Sequence, residues 1–203
     1  MQIMNMYAVA GGAATAIAGT IVQTVVQPAT TVPETMWSYP LTPQAFIPVT
    51  LLYAVFHVLV LIGVIAFARS GAAGTSRVAK TGTALAIAGT AVLLLAELAS
   101  IPFHDDPVTD AGPSLVGGVF ALSVLLTSIG FLMCGVTTLR AGVWQDWRRF
   151  VPLATGIWNA LLVVVSLTGA LAAGVAVYGL CMLLLGVALK EPRKARTTAE
   201  VVA

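Results

Sequence analysis

Charge is what this chain has least of. Only 9% of its residues are Asp, Glu, Lys or Arg, against about 25% in an ordinary globular domain. With 59% hydrophobic residues in 203 positions, a water-soluble fold of this size could not bury its apolar surface, whereas lipid can solvate it. Cysteine is almost absent: Cys134 and Cys181 both fall inside apolar runs and read as small packing residues rather than a disulfide. Histidine is equally scarce. His57 and His104 are the two in the chain, too few and too far apart in expected depth for a hydrolytic zinc site or a bis-histidine haem. No Ser or Cys stands beside a plausible base, and no Gly-rich phosphate loop follows a strand. The sequence therefore supports no catalytic residue and no cofactor. No nucleic-acid partner is expected, since membrane topology accounts for the placement of the basic residues.

Long apolar runs are what remains. They cover 7–27, 46–68, 80–101, 114–139, 151–168 and 172–189, and a helix needs about 20 residues to cross the hydrocarbon core. The last two runs are read as two short helices turning near LTGALAAG (Leu167–Gly174), against a competing reading of one long span plus an interfacial piece. Loop charge favours six spans. Arg69, Arg77 and Lys80 lie between runs two and three; Arg140, Arg148 and Arg149 between four and five; Lys190, Arg193, Lys194 and Arg196 after the sixth. The connections after runs one and three hold Glu34, Asp105, Asp106 and Asp110 and no Lys or Arg. Six spans put every Lys and Arg on one side, which the positive-inside rule assigns to the cytoplasm, with both termini inside.

The expected fold is thus all-α, a polytopic bundle of six transmembrane helices over 1–190 with a basic, disordered cytoplasmic tail over 191–203. The start, MQIMNMYAVAGG, has no Lys or Arg ahead of its apolar run and reads as a retained first helix rather than a signal peptide. Abundant Ala, Val and Gly with few Lys points to a GC-rich bacterial genome, hence the bacterial cell membrane. RAGVWQDWRRF (Arg140–Phe150) mixes Trp144, Trp147 and Phe150 with arginines, the composition of an element lying at headgroup level. It reads first as a topology anchor and second as an anionic-lipid contact.

TAIAGTIV (Thr15–Val22) and LAIAGTAV (Leu85–Val92) match at six of eight positions, offset by 70. We read helices 1–2 and 3–4 as duplicated hairpins, with 5–6 a third, diverged copy. Small residues recur at helix-packing spacing (Ala8, Gly12 and Ala16; Gly82 and Ala86; Ala172, Gly179 and Gly186), suited to holding the bundle together or to docking a membrane partner or second copy.

Polar residues gather toward one end of the spans. Thr83, Thr90 and Glu97 share a face of helix 3, which Ser100 and His104 extend outward. Thr20, Gln23, Thr24 and Gln27 line helix 1, and Thr50, Tyr53 and His57 line helix 2. At about 1.5 Å per residue, Glu97 lies in the outer third of the bilayer and His57 near its middle. A lipid-facing carboxylate costs about 2.5–3.5 kcal/mol, so Glu97 is expected to face the bundle. The expected site is an outward-opening pocket for a ligand or proton, lined by Gln23, Gln27, Tyr53, His57, Glu97 and His104. The bland alternative is a protonated Glu97 serving as interhelical glue. The first outer connection, Gln27–Phe46, carries several prolines with Trp37 and Tyr39; it reads as an anchored loop, or as a lid with Glu34 turned inward. No metal is expected; His104, Asp105 and Asp106 are weak candidates in a solvated acidic loop. Three functional readings follow: a small transporter or ligand-binding membrane protein, an accessory subunit of a larger complex, and an enzyme acting on outer-leaflet lipid. The first is preferred, with the ligand unidentified.

Overall fold

The structure, a computed structural model, describes residues 2–190, with side chains from Met4 onward. The tail expected over 191–203 lies outside the described residues. Among the described residues six helical stretches are long and apolar enough to cross a membrane, Met4–Ala29, Pro43–Ser70, Arg77–Phe103, Ala111–Ala141, Asp146–Val165 and Leu171–Lys190. Their α-helical parts are α1 (Gln2–Ile21), α2 (Pro43–Ser70), α3 (Arg77–Ser100), α4 (Ala111–Ala141), α5 (Val151–Val165) and α6 (Leu171–Lys190). The protein is accordingly a multi-pass membrane protein with an all-helical bundle. α5 and α6 are separate helices joined by a short turn at 166–170, so the single-long-span alternative is excluded.

Local chemistry sets the helix ends. Thr42 caps α2 by accepting from the Ala45 amide (3.3 Å), and Ser76 caps α3 by accepting from the Ala79 amide (3.1 Å). α2 and α4 stop at Gly71 (φ 70°) and Gly142 (φ 61°), left-handed positions that suit a residue without Cβ. Each follows an arginine in the last helical turn, Arg69 or Arg140, where a cation is favourable. These two corners, with Arg148, Arg149 and Lys190, make one end of the bundle basic. The opposite, acidic end is closed by two connections that pair with each other. The Trp37 amide donates to the Asp106 carbonyl (2.9 Å) and the Val108 amide to the Thr35 carbonyl (2.8 Å). Trp37 also packs on Phe120 of α4, with ring centroids 6.4 Å apart.

Helix α1 runs on past Ile21 through a π-helical stretch, Val22–Val26, and one more turn, Gln27–Ala29. The Gln27 amide reaches back five residues to the Val22 carbonyl. Pro28, which has no amide to donate to the preceding turn, follows directly. Gln23 lies in this π-helical stretch and Gln27 directly follows it.

Around the bundle α1 packs on α2, α2 on α3, α3 on α4, α4 on α5, α5 on α6 and α6 back on α1, and α2 also touches α6. Two of these crossings are closest, and they are alike. A Cβ on Gly179 of α6 would meet the Ala16 amide and lie 2.7 Å from the Gly12 carbonyl oxygen of α1. A Cβ on Gly130 of α4 would meet the Ala86 amide and lie 2.7 Å from the Gly82 carbonyl oxygen of α3. Gly19 and Gly89 likewise face Ala176 with Ala172, and Thr127 with Ser123. The two similar sequence segments thus make the same backbone-to-backbone contact. The partner of the first is α6, while α1 packs on α2 through Gly11 and Gly63. The small-residue stripes are used inside the bundle, where they let helices approach closely in the absence of a hydrophobic drive.

Candidate functional site

Glu97 and His57 meet. The His57 Nδ1 lies 2.7 Å from Glu97 Oε1, with side chains 5% and 10% exposed. The two were expected at different depths. They are level because α2 overshoots: His57 is well inside it, fourteen residues past Pro43, whereas Glu97 lies three residues before the end of α3 at Ser100. At about 1.5 Å per residue, the first turns of α2 project about 16 Å beyond α3, into the layer of the paired connections.

The contact is close but badly aimed. It lacks hydrogen-bond angles, leaving His57 Nδ1 without a directed partner, and Glu97 Oε2 has none among the described residues. Rings enclose the pair. Tyr53 stacks on His57 from the same helix, centroids 6.2 Å apart, and Tyr178 of α6 lies 6.0 Å away on a tilted plane. The Tyr178 hydroxyl is also buried without a partner among the described residues. Three helices therefore bring a carboxylate, an imidazole and a phenol into one buried cluster. Such groups are costly unless paired.

The other expected site residues lie elsewhere. Gln23 and Gln27 face the α5–α6 turn: both amides donate to the Gly169 carbonyl (3.3 and 2.7 Å), and Gln23 Oε1 accepts from the Ala173 amide (3.0 Å). They tie the α5–α6 turn and the start of α6 to the end of α1 and provide no hydrogen bond to Glu97. His104 sits in the turn after α3, with Nδ1 3.0 Å from the Ile101 carbonyl oxygen and Nε2 3.2 Å from Asp105 Oδ2. Asp105 is exposed, and among the described residues no three His, Cys, Asp or Glu side chains converge as a metal would need. Glu34 is exposed and accepts from the Tyr39 hydroxyl (3.3 Å), so it does not face inward.

The threonine stripes are not a polar path. Thr83, Thr90, Thr20 and Thr24 each donate to a carbonyl one turn back in their own helix, satisfying themselves locally. On α3 it is Glu97 and Ser100 that carry the stripe's polarity outward, and the Ser100 hydroxyl donates to the Glu97 carbonyl (2.6 Å). Sequence reasoning missed Tyr178, although a lone tyrosine in the apolar run VAVYGLC was the available signal.

Comparison with protein-family models, with curated proteins and with solved structures finds no match. The fold and the cluster define a class, a six-helix membrane bundle holding a buried acid–imidazole pair near its acidic end, and the functional reading rests on that arrangement.

Proposed function

We propose that the protein is a small transporter or ligand-binding membrane protein in which the His57–Glu97 pair takes up or gives up a proton as a ligand engages the cluster. The observation that carries this reading is the 2.7 Å contact between a buried carboxylate and a buried imidazole inside the spans. Intramembrane ionisable pairs of this kind mark ion and substrate pathways. The unfilled Glu97 Oε2 and Tyr178 hydroxyl supply an acceptor and a donor for a further group. The overshoot of α2 puts the cluster nearer the acidic end, the side from which a ligand would enter. Positive-inside reasoning makes that the outer face of the bacterial cell membrane.

An accessory-subunit role has less support, because its natural docking surfaces, the small-residue stripes, already face other helices of this chain. A lipid-modifying enzyme would have to work from His104 and its neighbouring aspartates, and His104 is tied to the Ile101 carbonyl and Asp105.

The test is a thermal-stability screen of the purified protein against small cationic, anionic and neutral solutes at acidic and alkaline pH, alongside Glu97→Gln. At least one solute class is expected to stabilise the wild type in a pH-dependent way and to lose that effect in Glu97→Gln. If no solute separates the two proteins at either pH, the reading fails.

A further inference from the structure

The basic end carries a second feature, unrelated to the acid–imidazole cluster. After α4 the chain turns through Gly142 into a 3₁₀ helix, Asp146–Phe150, that leads directly into α5. Between this helix, α5 and α6 lies an open groove of about 220 Å³ walled by Trp147, Phe150, Val151, Ala154, Cys181 and Leu184. Thr155 also borders it, but its hydroxyl donates to the Val151 carbonyl (2.9 Å), so the lining offers almost nothing polar. Trp147 and Phe150 are 41% and 48% exposed at the mouth. The Arg149 guanidinium sits over the Phe150 ring, 4.6 Å from its centroid.

That arrangement has two chemistries at one edge: an apolar slot running into the membrane, and a cation fixed above it on an aromatic face. Guanidinium is weakly hydrated, always charged and matched in shape to a phosphate. Resting on Phe150, the Arg149 side chain has less freedom to lose when it takes a ligand. Arg140 and Lys190, both exposed helix-end cations, add to the positive field of the same end. Asp146 is the one acid among the described residues in this corner. It holds a left-handed backbone (φ 57°) that Asp and Asn tolerate.

We propose that this corner is a binding site for an anionic phospholipid, one acyl chain lying in the α5–α6 groove and the phosphate engaging Arg149. A zwitterionic lipid has the same tails, so the tail groove alone would not discriminate. The charge complementarity at Arg149 is what selects the anionic headgroup.

The full-length protein in vesicles containing brominated phosphatidylglycerol or brominated phosphatidylcholine tests this. Tryptophan quenching is recorded for the wild type and for Trp147→Phe, and their difference isolates Trp147. The expected result is preferential quenching of Trp147 by the anionic lipid, equivalent to an affinity ratio of about five-fold for one basic contact near an anionic surface. Arg149→Gln brings the ratio to parity. Asp146→Asn, which removes the opposing charge while keeping the backbone conformation, raises it. Added salt lowers it. Equal quenching by both lipids in the wild type, or a preference that survives Arg149→Gln, overturns the proposal. Protection of Trp147 from both lipids also overturns it, since a second copy of the chain would then cover the groove.

Discussion

Replacing His57 and Glu97 by leucine, singly and together, separates what the pair does for the fold from what it does for function. At 2.7 Å, two opposite unit charges in an effective dielectric of about 20 attract by about 6 kcal/mol before desolvation is counted. Removing two ions from water costs several kcal/mol each, so the net contribution of the pair to stability is near zero. Removing one partner is another matter. His57→Leu leaves a carboxylate buried with no counter-charge and is expected to cost about 3–5 kcal/mol at neutral pH. Glu97→Leu should cost less, because it removes the buried carboxylate and leaves the His57 ring stacked on Tyr53. The double variant, apolar and of similar volume, should be as stable as the wild type or about 1–4 kcal/mol more stable. Unfolding in mixed detergent–dodecyl sulfate micelles, followed by tryptophan fluorescence, gives the four free energies and a coupling of at least about 2 kcal/mol between the sites. Additive single effects would refute the reasoning, since they would mean the side chains do not interact. So would a double variant less stable than either single one.

Three further outcomes follow from the packing and the topology. Gly118 has nothing within 4 Å of an added Cβ, so Gly118→Ala should raise stability by about 0.5–1 kcal/mol in the same assay through the helix alone. Gly179→Ala, with its Cβ 2.7 Å from the Gly12 carbonyl oxygen, should lower stability instead, despite the same gain in helix propensity. With the basic end in the cytoplasm, Asp105→Cys in intact cells should react with a membrane-impermeant maleimide, and Thr75→Cys should react only after lysis; the opposite pattern would invert the assigned orientation.

The bundle was legible in the sequence because lipid imposes blunt rules. Twenty-residue apolar runs and one-sided Lys and Arg suffice to count helices. What sequence could not give was which helix lies beside which. The α1 segment TAIAGTIV and its α3 counterpart LAIAGTAV choose α6 and α4, a matter of three-dimensional closure that spacing along the chain does not encode. Glu97 lies buried against His57, a pairing that needed the relative sliding of α2 and α3, which no local pattern specifies. Gln23 and Gln27 bond to Gly169 across the bundle rather than to Glu97, a choice of neighbour that the sequence pattern does not specify. Tyr178 was overlooked because its ring reads as ordinary apolar bulk until the hydroxyl is seen to lack a partner.

The two small-residue crossings bear on why the polar cluster matters. Cohesion of α1 with α6 and of α3 with α4 comes from backbone contact at Gly12, Gly179, Gly82 and Gly130, where dispersion acts without any polar group. Helices α2 and α3 have leucine-sized alternatives available at positions 57 and 97 that would hold them together at least as well. If the leucine variants are as stable as predicted, an acid and an imidazole held at 2.7 Å, beside a phenol with no partner among the described residues, are poor glue. They are suited to a different use, because the energy of that contact changes steeply with one proton or one ligand atom. A cluster whose removal leaves the bundle intact but abolishes a proton-linked response would be a functional site; one whose removal changes neither would be a packing accident in an otherwise apolar interior.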